Sequence, residues 1–320
     1  MKQRRNFLAG ALAGGMAATA MTACGGGNDA APQRPLLLLV HGSVHSSFCW
    51  ARVTPHLVEA GLRVLAIDLP GTGLNGPVFP ASANARPFVA ADFAAEVTAS
   101  AATTLGLYKK SVGDLIDRLH AANQGPIILV GHSLGGLTLN AVGESHAAKL
   151  AGLFYLAAIM PSNNQSFLDP VFGILAAAGS APALGNAGAV PADPAVIGVG
   201  RFDLQTPDPV VLAKIKAAYC ADVSDADFKA WLNLLVPDDA FAPYTEKIPL
   251  TAAGWGSLKR SYIKCTLDQV VPPAAADAML AAIDAFSPAR KTIVRTLAAS
   301  HSAFLSKPKE LAALITELAG

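Results

Sequence analysis

Short apolar runs without polar alternation recur along the chain, separated by stretches in which apolar residues return at helical spacing. Pro35–Val40, Leu62–Ile67, 126–131, Leu150–Ala158, Ser261–Thr266 and Lys291–Leu297 read as strands buried on both faces, since a strand with one face in water would alternate. Phe48–Ala60, Leu105–Ala122, Leu137–Ala148, Pro272–Phe286 and Pro308–Leu318 carry the helical pattern. The alternation predicts an α/β domain with a doubly wound, mostly parallel sheet. Two segments depart from it. Residues 74–103 are rich in Ala, Pro and Ser and read as a loop too polar and irregular for core. The rhythm also breaks at Pro161: residues 162–257 hold two Ala/Gly/Pro-rich stretches and two helical patterns, Pro209–Tyr219 and Asp225–Leu235. This segment is expected to form a cap inserted over the carboxyl ends of the strands. Neither an internal repeat nor a coiled-coil heptad is present.

The first residues belong to a different class. Lys2, Arg4 and Arg5 precede an uncharged run, Phe7–Met21, which is too short to span a bilayer comfortably and resembles the apolar part of an export signal. Arg4-Arg5 before Phe7-Leu8 resembles a twin-arginine signal, and Met21-Thr22-Ala23-Cys24 a bacterial lipobox with Cys24 lipidated. The expected organisation is a signal over 1–23, a flexible tether over 24–34 and one domain over 35–320. The protein would be exported to the periplasm or cell envelope and would meet the membrane only through Cys24. Removing 1–23 takes three of the 24 Lys and Arg residues and no acid, leaving 21 basic against 23 acidic residues. That balance gives no electrostatic case for nucleic acid or an anionic membrane surface. Cys49, Cys220 and Cys265 lie far apart and imply no disulfide framework; buried free thiols are expected.

The chemistry concentrates where one strand meets a helix. Gly131-His132-Ser133-Leu134-Gly135 follows the apolar run Ile127–Val130 directly, which is the G-x-S-x-G nucleophile elbow in its strand–turn–helix setting. Such a turn places the serine at a strained backbone angle, so the residues two before and two after must be small. A serine hydroxyl needs a base within hydrogen-bond reach. Of the seven histidines, His41 and His45 precede the nucleophile, and His132 lies inside the elbow with its side chain directed away from Ser133. His56, His120 and His146 fall in helical patterns. His301 alone occupies a loop just past a late strand, where the order Ser…Asp…His puts the base. Asp268 is the only carboxylate at the end of the preceding strand and is the candidate to orient His301. The backbone N–H groups of Leu134 and Ser43 are the candidate oxyanion donors. No metal-ligand cluster or phosphate loop is present, so neither metal nor cofactor is expected.

With these residues in view, the chain resembles the α/β-hydrolases, and within them the branch of plant methyl esterases and hydroxynitrile lyases with their bacterial relatives. The resemblance rests on Leu39 to Trp50 (Leu-Val-His-Gly-Ser-Val-His-Ser-Ser-Phe-Cys-Trp), Asp68-Leu69-Pro70-Gly71, the elbow, Tyr262 to Asp268 and the His301 loop. It implies the α/β-hydrolase fold and a choice between two chemistries. The lyases carry threonine where this chain has Gly42, and after the base a lysine where this chain has Ser302. That lysine would stabilise departing cyanide, so its absence favours an esterase acting on a small to medium neutral, hydrophobic ester. A hydroxynitrile lyase or other C–C-cleaving enzyme, and a non-catalytic ligand-binding relative, stand as the alternatives. His45 and Trp50, shared by the branch, are expected to pack behind the site. Oligomeric state is left unassigned.

Overall fold

The computed structural model describes residues 33–76, 79–180 and 189–320. The leader expected over 1–23, Cys24 and most of the tether lie outside these residues. Arg34, assigned to the tether, instead bonds to the carbonyl of Ala60 at 2.7 Å. Six parallel strands form the central sheet: β1 Leu36–Val40, β2 Arg63–Ile67, β3 Ile127–His132, β4 Leu150–Leu156, β7 Arg260–Cys265 and β8 Ile293–Leu297, in the order β2-β1-β3-β4-β7-β8. The runs that lack alternation are the inner strands, with β1 and β3 buried throughout. The edge strands β2 and β8 are only partly covered. Order reverses at β1, whose neighbours are β2 and β3, and open sheets of this kind form a crevice at the carboxyl ends beside such a reversal.

Element ends differ from expectation for local reasons. The segment read as one helix over Phe48–Ala60 is a short 3-10 turn, Ser47–Trp50, followed by a helix, Thr54–Glu59. Trp50, fully buried, drives that turn into the core. The helix after Ser133 begins at Gly135, two residues earlier than its hydrophobic pattern, because the elbow feeds directly into it. The 74–103 segment is not devoid of core: it carries the helix Ala90–Ala95, with Phe93 buried.

Between β4 and β7 lie the helices Val171–Ala177, Pro209–Tyr219 and Asp225–Leu232, and two short strands that the hydropathy pattern does not reveal. These are β5 Val199–Arg201 and β6 Asp238–Ala240, paired antiparallel. A buried ion pair explains the pairing. The fully buried Arg201 guanidinium donates from Nε to Asp238 Oδ1 at 2.7 Å and from Nη2 to Oδ2 at 2.8 Å. Its Nη1 donates to the carbonyls of Phe93 and Glu96, both at 2.6 Å, and its face lies over the Phe93 ring. Arg201 therefore binds the strand pair to the 74–103 segment. Among the described residues, no helix is long and apolar enough to cross a membrane.

Truncating one partner of a buried pair strands the other charge. Asp238→Ala is expected to cost roughly 3–5 kcal/mol of unfolding free energy in urea titration, and a loss below about 1 kcal/mol would contradict this account of the strand pair.

Candidate active site

Four sheet strands bring the chemistry to one edge. Ser133 follows β3 with φ +52°, a left-handed angle that a serine adopts only under constraint. The end of β4 supplies the constraint. Ser133 N–H donates to the Leu156 carbonyl at 3.1 Å, and the Ser133 carbonyl accepts from Ile159 N–H at 2.9 Å and Gly136 N–H at 3.1 Å. Close approach of the helix start to β1 requires the last glycine of the motif: a Cβ on Gly135 would lie 2.6 Å from the His41 carbonyl oxygen.

The three expected side chains meet. Ser133 Oγ–H donates to His301 Nε2 at 3.0 Å, and His301 Nδ1–H donates to Asp268 Oδ2 at 2.8 Å. Asp268 Oδ1 accepts from the N–H groups of Val270 and Val271 at 2.8 and 2.9 Å, so its carboxylate is fully engaged. His301 and Asp268 are buried, and Ser133 is 8% exposed. The N–H groups of Ser43 and Leu134, both flanking a cavity with Ser133, have no acceptor among the described residues. Cys24 lies outside them. Cys220 and Cys265 are buried free thiols; Cys49, also free, is half-buried rather than buried.

Two of the histidines set aside by elimination, His132 and His45, lie beside His301. His132 turns from Ser133 yet reaches the base loop. Its Nε2–H donates to the His301 carbonyl at 3.1 Å, and the two rings lie 4.6 Å apart. His45 Nδ1–H donates to the Ser43 carbonyl at 2.7 Å, while its Nε2 accepts from Trp231 Nε1–H at 3.2 Å. His45 also lines the cavity, beyond the packing role expected of it. Burial disfavours the cation at each of these rings: it holds His45 down to about 3, His132 well below the usual imidazole range, and His41 below that range.

Sequence reasoning missed how far the cap enters the site. Tyr219, closing the helix Pro209–Tyr219, packs edge-on against His301, and its carbonyl accepts from Ser302 N–H at 2.9 Å. Asp222 bonds the Ser300 hydroxyl and its N–H. Val236 N–H donates to the Val44 carbonyl at 2.8 Å, and the Ser43 hydroxyl contacts Asp239 and the Tyr244 hydroxyl. The only sequence signal was two adjacent acids, Asp238 and Asp239, inside an otherwise apolar stretch. The cavity above Ser133 measures about 530 Å³ and is walled by groups such as Ile159, Phe167, Phe172, Phe202 and Val270. Among the described residues that line it, none is Asp, Glu, Lys or Arg.

A family model described as the alpha/beta hydrolase family matches residues 37–314. The chain belongs to the alpha/beta hydrolase family. Within that family it is similar to plant methylesterases. It is 27% identical over 286 residues to chloroplastic methylesterase 11 of Arabidopsis thaliana, covering 88% of this chain but 63% of that protein, less than two thirds of its length. It is 25% identical over 299 residues to methylesterase 3 of the same plant, covering 88% and 95% of the two chains. The solved pyrethroid hydrolase of Sphingobium faniae JZ-2 superposes with a TM-score of 0.59 at 22% identity, over 89% of this chain and 97% of that one. This likeness supports the α/β-hydrolase fold expected from the sequence.

The neutral imidazoles make stability depend on pH. Below about pH 6.5 the unfolded chain protonates these histidines while the folded chain, with its lowered values, does not, so stability falls with decreasing pH toward about pH 3 for His45. Urea unfolding is expected to lose up to about 1.4 kcal/mol per pH unit through His45 between pH 6 and 4, with a shallower slope in His45→Gln. A flat profile over that range would contradict the assignment.

Proposed function

We propose that this protein is a serine carboxylic ester hydrolase that acts on a small to medium, neutral, hydrophobic ester through an acyl-enzyme. Hydrolysis of an ester bond as such is supported by the family and by relatives named as methylesterases. The observation that carries the finer reading is the unbroken chain from Ser133 through His301 to Asp268, opening beneath a cavity whose described lining holds no Asp, Glu, Lys or Arg. Ser133 Oγ attacks the ester carbonyl carbon while His301 Nε2 accepts its proton. The carbonyl oxygen, now negative, is met by the N–H groups of Ser43 and Leu134, each worth about 3 kcal/mol in a preorganised site. His301 passes the proton to the alkoxide oxygen as the C–O bond breaks. A water then gives its proton to His301 and attacks the acyl carbon; the bond from that carbon to Ser133 Oγ breaks, His301 returns the proton to Oγ, and the carboxylic acid leaves. Asp268 holds Nδ1 protonated throughout and stabilises the imidazolium. No cofactor takes part in this sequence.

The positions that separate esterases from lyases in this branch agree with the reading. A Cβ on Gly42 would lie 2.7 Å from Ser133 Cβ, so the lyases' threonine has no room without a shift of the elbow. Ser302 is fully buried, and a lysine there would have to displace its neighbours to place a cation in the cavity.

Ser133→Ala is expected to lower turnover of p-nitrophenyl butyrate by at least about 10⁴-fold without loss of folding. Across a panel of esters, neutral short and medium acyl chains should lead. Undiminished hydrolysis by the variant would overturn the mechanism. The leader-like residues carry a separate proposal, that export leaves a mature chain beginning at an acylated Cys24; the intact mass of envelope-purified protein tests it, and retention of residues 1–23 would contradict it.

A further inference from the structure

Asp239 is a buried acid that the mechanism above does not use. It stands in β6 opposite Gly200, next to the Arg201–Asp238 pair. Successive side chains of a strand point to opposite faces. Asp238 accordingly faces Arg201 and Thr98 on the 74–103 segment, and Asp239 faces the Ser43 hydroxyl. The buried ion pair thus fixes the strand register that aims the neighbouring carboxyl. Asp239 does not line the 530 Å³ cavity; it borders a small recess behind it with His41, Tyr108 and Gly42. Substrate in the cavity would therefore meet Ser43 and not Asp239.

We propose that Asp239 is a positioning residue which, through the Ser43 hydroxyl, fixes the direction of the Ser43 N–H toward the developing oxyanion. This rests on the reading of Ser43 as an oxyanion donor. The other exits of the loop are already tied: the Ser43 carbonyl accepts from His45, and the Val44 carbonyl from Val236, with Val44 at φ +54°. The Gly42–Ser43 peptide, which carries that N–H, is held at its carbonyl by His41 Nδ1–H at 2.8 Å and by His45 N–H at 3.4 Å, and the side-chain anchor at Ser43 restrains its other end. Asp239 Oδ2, Ser43 Oγ and Tyr244 Oη contact one another pairwise, closing a triangle. An ionised carboxylate leaves two protons for three edges. The neutral acid supplies the third, so that each oxygen donates once and accepts once. Burial favours that form by pushing the Asp239 carboxyl above the usual carboxylate range, against the hydrogen bonds from Ser43 and Tyr244. A neutral acid also keeps negative charge away from the back of the oxyanion site.

The test is steady-state hydrolysis of p-nitrophenyl butyrate by the full chain and by Asp239→Ala, Asp239→Asn, Ser43→Ala and the Asp239→Ala/Ser43→Ala double variant, with thermal unfolding recorded for each. Asp239→Ala should lower kcat roughly ten- to hundredfold, less than loss of a whole donor, and leave KM within about twofold. Asp239→Asn, neutral and able to donate and accept, should keep kcat within about threefold. In the Ser43→Ala background, Asp239→Ala should cost no more than about twofold further. An unchanged kcat, a loss confined to KM, an asparagine variant as slow as the alanine one, or a full loss persisting without the Ser43 hydroxyl would each overturn the proposal. If Asp239→Ala does not fold, Ser43→Ala decides: it must itself lower kcat about tenfold at constant KM, and no change overturns the proposal. Turnover that survives Ser133→Ala would overturn the functional reading and this inference with it. Ser133-dependent turnover with a normal Asp239→Ala variant would overturn the inference alone.

Discussion

The left-handed backbone of Ser133 is the constraint to which the surrounding structure answers. Holding a serine at φ +52° costs on the order of 1–3 kcal/mol, and the turn persists because the end of β4 grips it from both sides, through the Leu156 carbonyl and the Ile159 N–H. That grip needs β3 and β4 in register at their carboxyl ends, where His132 pairs with Leu156. It also needs the following helix to start within contact of β1, which a side chain at position 135 would prevent. With the hydroxyl fixed, the order of the sheet places the ends of β7 and β8 where Asp268 and His301 close the hydrogen-bonded chain.

A second dependence runs from the cap to the sheet edge. Tyr219 and Asp222 hold the His301 loop, while Trp231, Val236, Asp239 and Tyr244 hold the loop that carries Ser43. The cap thus fixes the two sheet-edge loops whose positions matter most, in addition to walling the cavity. Its own geometry derives from the Arg201–Asp238 pair, which joins β5, β6 and the 74–103 segment. Desolvating such a pair is costly, and its value here is the single register it imposes on the neighbouring residue.

What was legible in the sequence follows from how local each signal is. The inner strands announced themselves because burial on both faces leaves an unbroken apolar run, as in Leu36–Val40 and Ile127–Val130. Ser133 was readable from five residues, and Asp268 and His301 from the order of elements, since a parallel sheet delivers consecutive strand ends to one edge. Strands β5 and β6 were not readable: each is three residues long, and they pair across almost forty residues through a buried arginine that composition marks as surface. The roles of Phe93 and Asp239 were hidden for the same reason, since both are fixed by contacts distant in sequence. The 74–103 segment looked like loop because its anchors, the Phe93 and Glu96 carbonyls, belong to the backbone and leave no mark on residue choice.

The central claim is that Ser133 carries the acyl group between two half-reactions. Acid quench of the enzyme within milliseconds of mixing with excess p-nitrophenyl butyrate, followed by intact mass and peptide mapping, tests it most directly. The account predicts a mass increase equal to one butyryl group, located on the peptide that contains Ser133 and absent when His301 is replaced by alanine. Release of p-nitrophenol with no adduct, or an adduct on any other residue, would contradict it.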